Sequence, residues 1–271
     1  MPHAQHLAQS FNATLELIST VATPEVIPAD ITSTLISERE CYLQRVAESL
    51  QQDFRTTFSV TTGRPAEVII KQAEARDGTL VVIATHGYTG SKRWFQGGVA
   101  LKIVQHTKAP VIMIPAKAMN PEGGPVELQN LIVPLDGSPV AEQVLPHVVS
   151  LCKLLNMELI LVRAYNPHFP GSSIRMHEVS QIVHDSAENY LKEKVSQLHG
   201  EGLRRISYKV LRGISAEQIT DLAIETPNSL TAMCTHGKHG LGRGVLGHVT
   251  SSVIHCAEEP VLIIHGPDHM D

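Results

Sequence analysis

Apolar residues in the C-terminal half of the chain come in two rhythms. Short unbroken runs at Leu131-Ile132-Val133, at 159–162, at 206–211 and at Val261-Leu262-Ile263-Ile264 have the length and branched composition of strands buried on both faces. Between them apolar positions recur every three or four residues and predict helices over 140–155 and 179–198. The second helix traces Val179, Ile182, Val183, Ala187, Leu191, Val195 and Leu198 along one face and stops at Gly200. Ser215 with Gln218 has the spacing of a capping box, opening a helix that buries Ile219, Leu222 and Ala223. A fourth strand ends near Cys234 and another helix follows Gly247. Strands alternating with helices through short loops predict a parallel, doubly wound α/β sheet with helices on both faces.

The same order occurs twice. An offset of 144 lays Met1-Pro2-His3 on Leu145-Pro146-His147, Asn12 on Asn156, and Leu15 and Leu17 on Leu159 and Leu161. An offset of 150 lays Gly63 and Ala66-Glu67 on Gly213 and Ala216-Glu217, and Thr85-His86-Gly87 on Thr235-His236-Gly237. The extra six residues fit a longer loop near 166–173. Each copy closes on Pro-Val and an apolar tetrad, at 110–114 and 260–264. Residues 1–116 therefore form repeat one, 117–128 a Pro- and Gly-bearing linker, and 129–267 repeat two. Repeat one has nothing matching residues 131–138, so its first strand is missing. Met1 then reads as an internal methionine or a boundary, and an upstream segment like Leu-Ile-Val-Pro-Leu-Asp-Gly-Ser would support that.

Composition narrows the partners. Aromatic residues make up 4% of the 271 and the net charge is −5, with no basic block to hold nucleic acid or an anionic membrane. Ser91, Lys92, Arg93, Trp94 and Phe95 read as a loop anchor. Cys41, Cys152, Cys234 and Cys256 show no CxxC spacing and read as buried thiols of a reducing compartment. With no long apolar stretch and no leader pattern, the expected location is cytoplasmic.

Candidate chemistry concentrates in residues 235–247, where five glycines lie between a strand end and a helix start. Glycines there let backbone amides approach an anion, and the helix N-terminus adds partial positive charge. A flexible surface loop is the plainer reading of that segment alone. No Walker pattern, Gly-x-Ser-x-Gly elbow, HExxH or CxxC is present, so P-loop, hydrolase and zinc chemistry are disfavoured. His236, His239 and His248 have no acidic or thiolate partner in sequence to make a metal set.

Gly87 and Gly97, and Gly237 and Gly247, each enclose nine residues, followed by Val99-Ala100 and Val249-Thr250. This doubled pattern resembles the universal stress protein family over nearly the whole chain. The resemblance implies two tandem domains of the adenine nucleotide alpha-hydrolase-like fold, and binding of ATP or a related adenine nucleotide with little or no catalysis. Carried over by motif, Pro134 and Asp136 at the first-strand turn and Ala164 at the end of the second strand match the adenine side, and Gly237, Gly247, His248, Val249 and Thr250 the phosphate side. The implied metal is at most nucleotide-bound magnesium. The resemblance also implies that the final strands join domains about a twofold axis, with self-association possible, as apolar edges are normally paired or covered.

Several positions depart from the family pattern. Ala84 and Cys234 replace its first glycine, and Gly98 and His248 its Ser or Thr. Losing one hydrogen bond to a charged group costs about 1.5–3 kcal/mol; His248 either donates through its ring or obstructs the site. Asp136 either caps the helix after it or also meets a ligand. Two rival readings remain: a nucleotide-independent dimerising scaffold, and an adenylating or ATP-hydrolysing enzyme, for which no HIGH, KMSKS or SGGxDS segment is present.

Overall fold

The computed structural model describes residues 2–21, 28–50, 54–85, 98–119, 126–166, 176–235 and 246–266. Residues 120–125 of the predicted linker, most of the 166–173 loop and the 91–95 segment lie outside them.

Repeat one runs α1 (Pro2–Ser10), β1 (Leu15–Val21), α2 (Ala29–Leu50), β2 (Thr56–Thr62), α3 (Pro65–Glu74), β3 (Val81–Ala84), α4 (Val99–His106) and β4 (Val111–Ile114). Repeat two runs β5 (Asn130–Pro134), α5 (Pro139–Glu142), α6 (Leu145–Leu155), β6 (Glu158–Tyr165), α7 (Met176–Gly200), β7 (Ile206–Arg212), α8 (Ser215–Glu225), β8 (Ser229–Thr235), α9 (His248–Cys256) and β9 (Val261–His265). The chain forms two compact units. One is built on α1, β1, α2, β2, α3 and α4; the other holds β3, β4 and everything from β5 onward.

In the second unit seven strands form one sheet in the order β3-β4-β9-β8-β5-β6-β7. All its pairings are parallel except β4 with β9. From β5 the chain winds outward through β6 and β7, then returns across β5 to β8 and β9. Right-handed crossovers therefore put α6 and α7 on one face and α8 and α9 on the other. The core lies along the central strands, where Leu131, Ile132, Val133, Leu159, Leu161 and Leu230 are wholly buried. In the first unit β1 and β2 form a separate two-stranded parallel sheet, with α2 packed on both strands.

The described strands of the two repeats are divided differently. In repeat two β5 lies between β6 and β8 and hydrogen-bonds to both. The first copy has no such strand among its described residues, and its four strands fall into two pairs, β1–β2 and β3–β4.

Helix ends show where local reading held and where it failed. Asn12 and Asn156, equivalent by the offset of 144, both take left-handed backbone, with φ of 48° and 53°, and close α1 and α6. Ala13 N–H donates to Ala8 O and Met157 N–H to Cys152 O, the six-to-one bond of a Schellman cap. The predicted helix over 140–155 is instead two helices, because Pro146 has no N–H and its ring clashes with the carbonyl one turn back. α7 ends at Gly200 as expected, and Gly202, at φ 88°, makes the left-handed turn after it, where Leu203 N–H reaches Leu198 O. Not all of the predicted face of α7 is buried. Ala187, Leu191 and Leu198 are, but Ile182 is 68% exposed and Val179 38%, since they lie on the helix's first turns. The capping box at Ser215 does not form: Ile214 is the N-cap, no side chain caps α8, and Ser215 is already helical.

Candidate functional site

Strand ends and helix starts of repeat two meet at one cavity of about 240 Å³. β5 ends at Pro134, which has no N–H to donate on the β8 side, while Leu135 N–H still bonds Val162 O on the β6 side. Asp136 follows, exposed at the rim. Its Oδ1 accepts the Ser138 N–H at 2.8 Å, and Ser138 Oγ accepts the Ala141 N–H at 3.1 Å. The helix cap is thus Ser138, and Asp136 shapes the turn leading to it. Gly137 makes that turn possible, with φ of 89°, and a Cβ on it would lie 3.3 Å from the Arg163 guanidinium.

Opposite this turn, Gly247 is the N-cap of α9 and carries no side chain to satisfy the helix's first amides. Those amides, on His248, Val249 and Thr250, are the groups an anion would use. Here the helix starts where the paired glycine pattern predicts it. His248 and Val249 are exposed, while Thr250 is 6% exposed.

The cavity is lined by Pro134, Asp136, Ala164, Gly247, His248, Val249 and Thr250 together. Gly237, His236 and His239, and with them Gly87 and Gly97 of repeat one, lie outside the described residues. Its lining also includes residues not expected from sequence. Ser215 and Ile219 come from α8, Met233 from β8, and Val140 and Ala141 from α5. The only sequence signal for Ser215 was its capping spacing, which pointed to a different role. The site stands beyond the carboxyl ends of β5, β6 and β8, at the point where the winding reverses direction.

Cys234, at the position of the family's first glycine, lines the cavity too. Burial pushes its thiol pKa up to about 11, against the opposing pull of the Thr235 and Gly266 amides. Cys152 is buried as expected, but Cys41 and Cys256 are exposed, because each lies on the outer side of its helix. A polar cluster stands beside the Asp136 turn. Glu142 accepts from Tyr190 Oη and Lys194 Nζ, each at 2.7 Å, and the Arg163 guanidinium lies 4.7 Å from the Tyr190 ring centroid. Among the described residues no group of three or more His, Cys, Asp or Glu side chains is placed to hold a metal, and no helix is long and apolar enough to cross a membrane.

A duplicated, doubly wound α/β chain with a cleft at the switch point of its second copy defines a Rossmann-like protein of tandem type. The chain belongs to the universal stress protein family, which it matches over residues 2–115 and 127–265. It is 30% identical over 142 residues to a universal stress protein of Methanocaldococcus jannaschii, covering 51% of this chain and 83% of that one. A universal stress protein of Mycobacterium tuberculosis is 26% identical over 198 residues, covering 70% of this chain; the chain spans 62% of that relative. The crystal structure of a universal stress protein from Archaeoglobus fulgidus shares the fold, with a TM-score of 0.74 at 18% identity over 97% of this chain and 92% of that one.

Proposed function

We propose that this protein binds an adenine nucleotide, ATP or AMP, in the cavity of repeat two, residues 129–267, and turns it over slowly or not at all. One observation carries the reading: a single cavity gathers the Asp136 turn, the end of β6 at Ala164 and the uncapped start of α9. The residues present suit such a ligand. Val140, Ile219 and Met233 offer an apolar wall for a base, Asp136 an acceptor at the rim, and Gly247 leaves room beside Thr250, whose Oγ1 would be 3.9 Å from an added Cβ. Phosphates would lie against the α9 amides, with His248 at the mouth and any magnesium carried in with the nucleotide.

Titration with ATP, AMP and cyclic AMP tests this, with Asp136→Ala alongside. Saturable binding that weakens in the variant supports the reading; no saturable binding by the unmodified protein overturns it. Release of phosphate from ATP at a rate that Asp136→Ala abolishes would make the protein an enzyme instead.

A second reading, a nucleotide-independent scaffold, is favoured by the β4–β9 ladder, which welds the two repeats through their final strands. Because that ladder occupies both strands, further copies would associate through other surfaces.

A further inference from the structure

We propose that Arg163 is a positioning residue for the acid of the cavity: from the opposite face of the sheet, its guanidinium braces the turn that presents Asp136 to a bound nucleotide. The inference rests on the nucleotide-binding reading above and gives a task to a side chain on the far side of the sheet from the ligand. Val162 and Ala164 of β6 line the cavity. Side chains alternate along a strand, so Arg163 between them points to the other face, where α7 packs on β6. There the half-buried guanidinium lies between two surfaces. Its Cζ is 4.7 Å from the centroid of the Tyr190 ring. Against it also stands the backbone of Gly137, where a Cβ would meet Nη2, Nη1 and Cζ at 3.3, 3.4 and 3.5 Å. Because the three distances are nearly equal, the glycine approaches the face of the guanidinium and not its edge.

These contacts close into a ring. Asp136 Oδ1 accepts the Ser138 N–H, Ser138 caps α5, and Glu142 at the end of α5 accepts from Tyr190 Oη and Lys194 Nζ of α7. Tyr190 in turn supports the Arg163 guanidinium, which returns to Gly137 beside Asp136. Among the described residues no carboxylate pairs with Arg163, so stacking on the ring and on the turn is what it contributes. Asp136 stands exposed at the rim, and an exposed carboxylate keeps one direction only if its backbone does. Fixing Gly137 from behind holds the acceptor in place before a ligand arrives, which lowers the ordering cost of binding.

The test is a double-mutant cycle in the full chain, with ATP binding followed by calorimetric titration. Arg163→Ala should weaken binding by about tenfold on its own, and by less than about twofold when Asp136 is already alanine, because the brace acts through that carboxylate. Arg163→Lys keeps the charge but not the flat face, and should lose as much as Arg163→Ala does. A measurement without ligand stands beside these. Hydrogen exchange at the Ser138 amide should quicken by about threefold or more in Arg163→Ala, while the Leu159 amide, which donates to Arg205 O within the sheet, keeps its rate. Failure of the unmodified protein to bind ATP would overturn the nucleotide reading and this inference with it. Equal losses in both backgrounds, full binding by Arg163→Lys, or unchanged exchange at Ser138 would overturn the inference alone.

Discussion

Ile112 on β4 and Leu262 on β9 are the same position in the two repeats, 150 residues apart, and they face each other at the centre of the antiparallel ladder. Val111 pairs with Ile263 on one side of them and Met113 with Val261 on the other. The ladder is therefore locally twofold about Ile112 and Leu262. The apolarity of the two closing strands, which predicts that each is paired or covered, is answered by their pairing with one another.

This contact should behave as core. Leu262 is 6% exposed and Ile112 2%. Leu262→Ala should cost about 2–4 kcal/mol of unfolding free energy in urea titration. Ile112→Ala should cost a comparable amount, and the double variant should depart from the sum of the two, because the side chains touch a common neighbourhood.

The Asp136 turn should be sensitive to its glycine. At φ 89°, alanine at position 137 costs about 1–2 kcal/mol in backbone strain, and its Cβ must also displace the Arg163 guanidinium. Gly137→Ala should lower thermal stability. If the cavity holds a nucleotide, it should also weaken binding in calorimetric titration more than a helix-surface substitution such as Lys153→Ala does.

Glu142 should contribute a pH-dependent part of stability. Burial works to raise its pKa, but the hydrogen bonds from Lys194 and Tyr190 outweigh that and hold it below the ordinary 4.5. A carboxylate whose folded pKa is depressed stabilises the fold above the unfolded value, and that contribution is lost as pH falls through the lower folded value. Unfolding free energy should therefore decline below pH 4.5 by a larger amount in the unmodified protein than in Glu142→Gln.

The thiols should separate by reactivity. Cys41 and Cys256 are exposed, whereas burial pushes Cys152 up to about 12 and Cys234 up to about 11. Iodoacetamide at pH 8 should label the exposed pair first, since the thiolate is the reacting species. Mass spectrometry of the digested protein checks the order. Modification of Cys234 ahead of Cys41 would contradict the raised pKa of its half-buried thiol.

Much of this molecule was written locally. Strand runs, helical spacing, the asparagines that end α1 and α6, and Gly247 at the start of α9 are each decided by a few neighbouring residues, so the α/β order and its duplication could be read directly. Other features depended on residues far apart in the chain. Ser215, Ile219 and Met233 join Asp136 and Gly247 around one cavity only because the winding reverses between β5 and β8. Ile112 meets Leu262 because strand pairing is chosen by the whole sheet. Periodicity states which residues seek burial; only the assembled sheet decides which partners bury them.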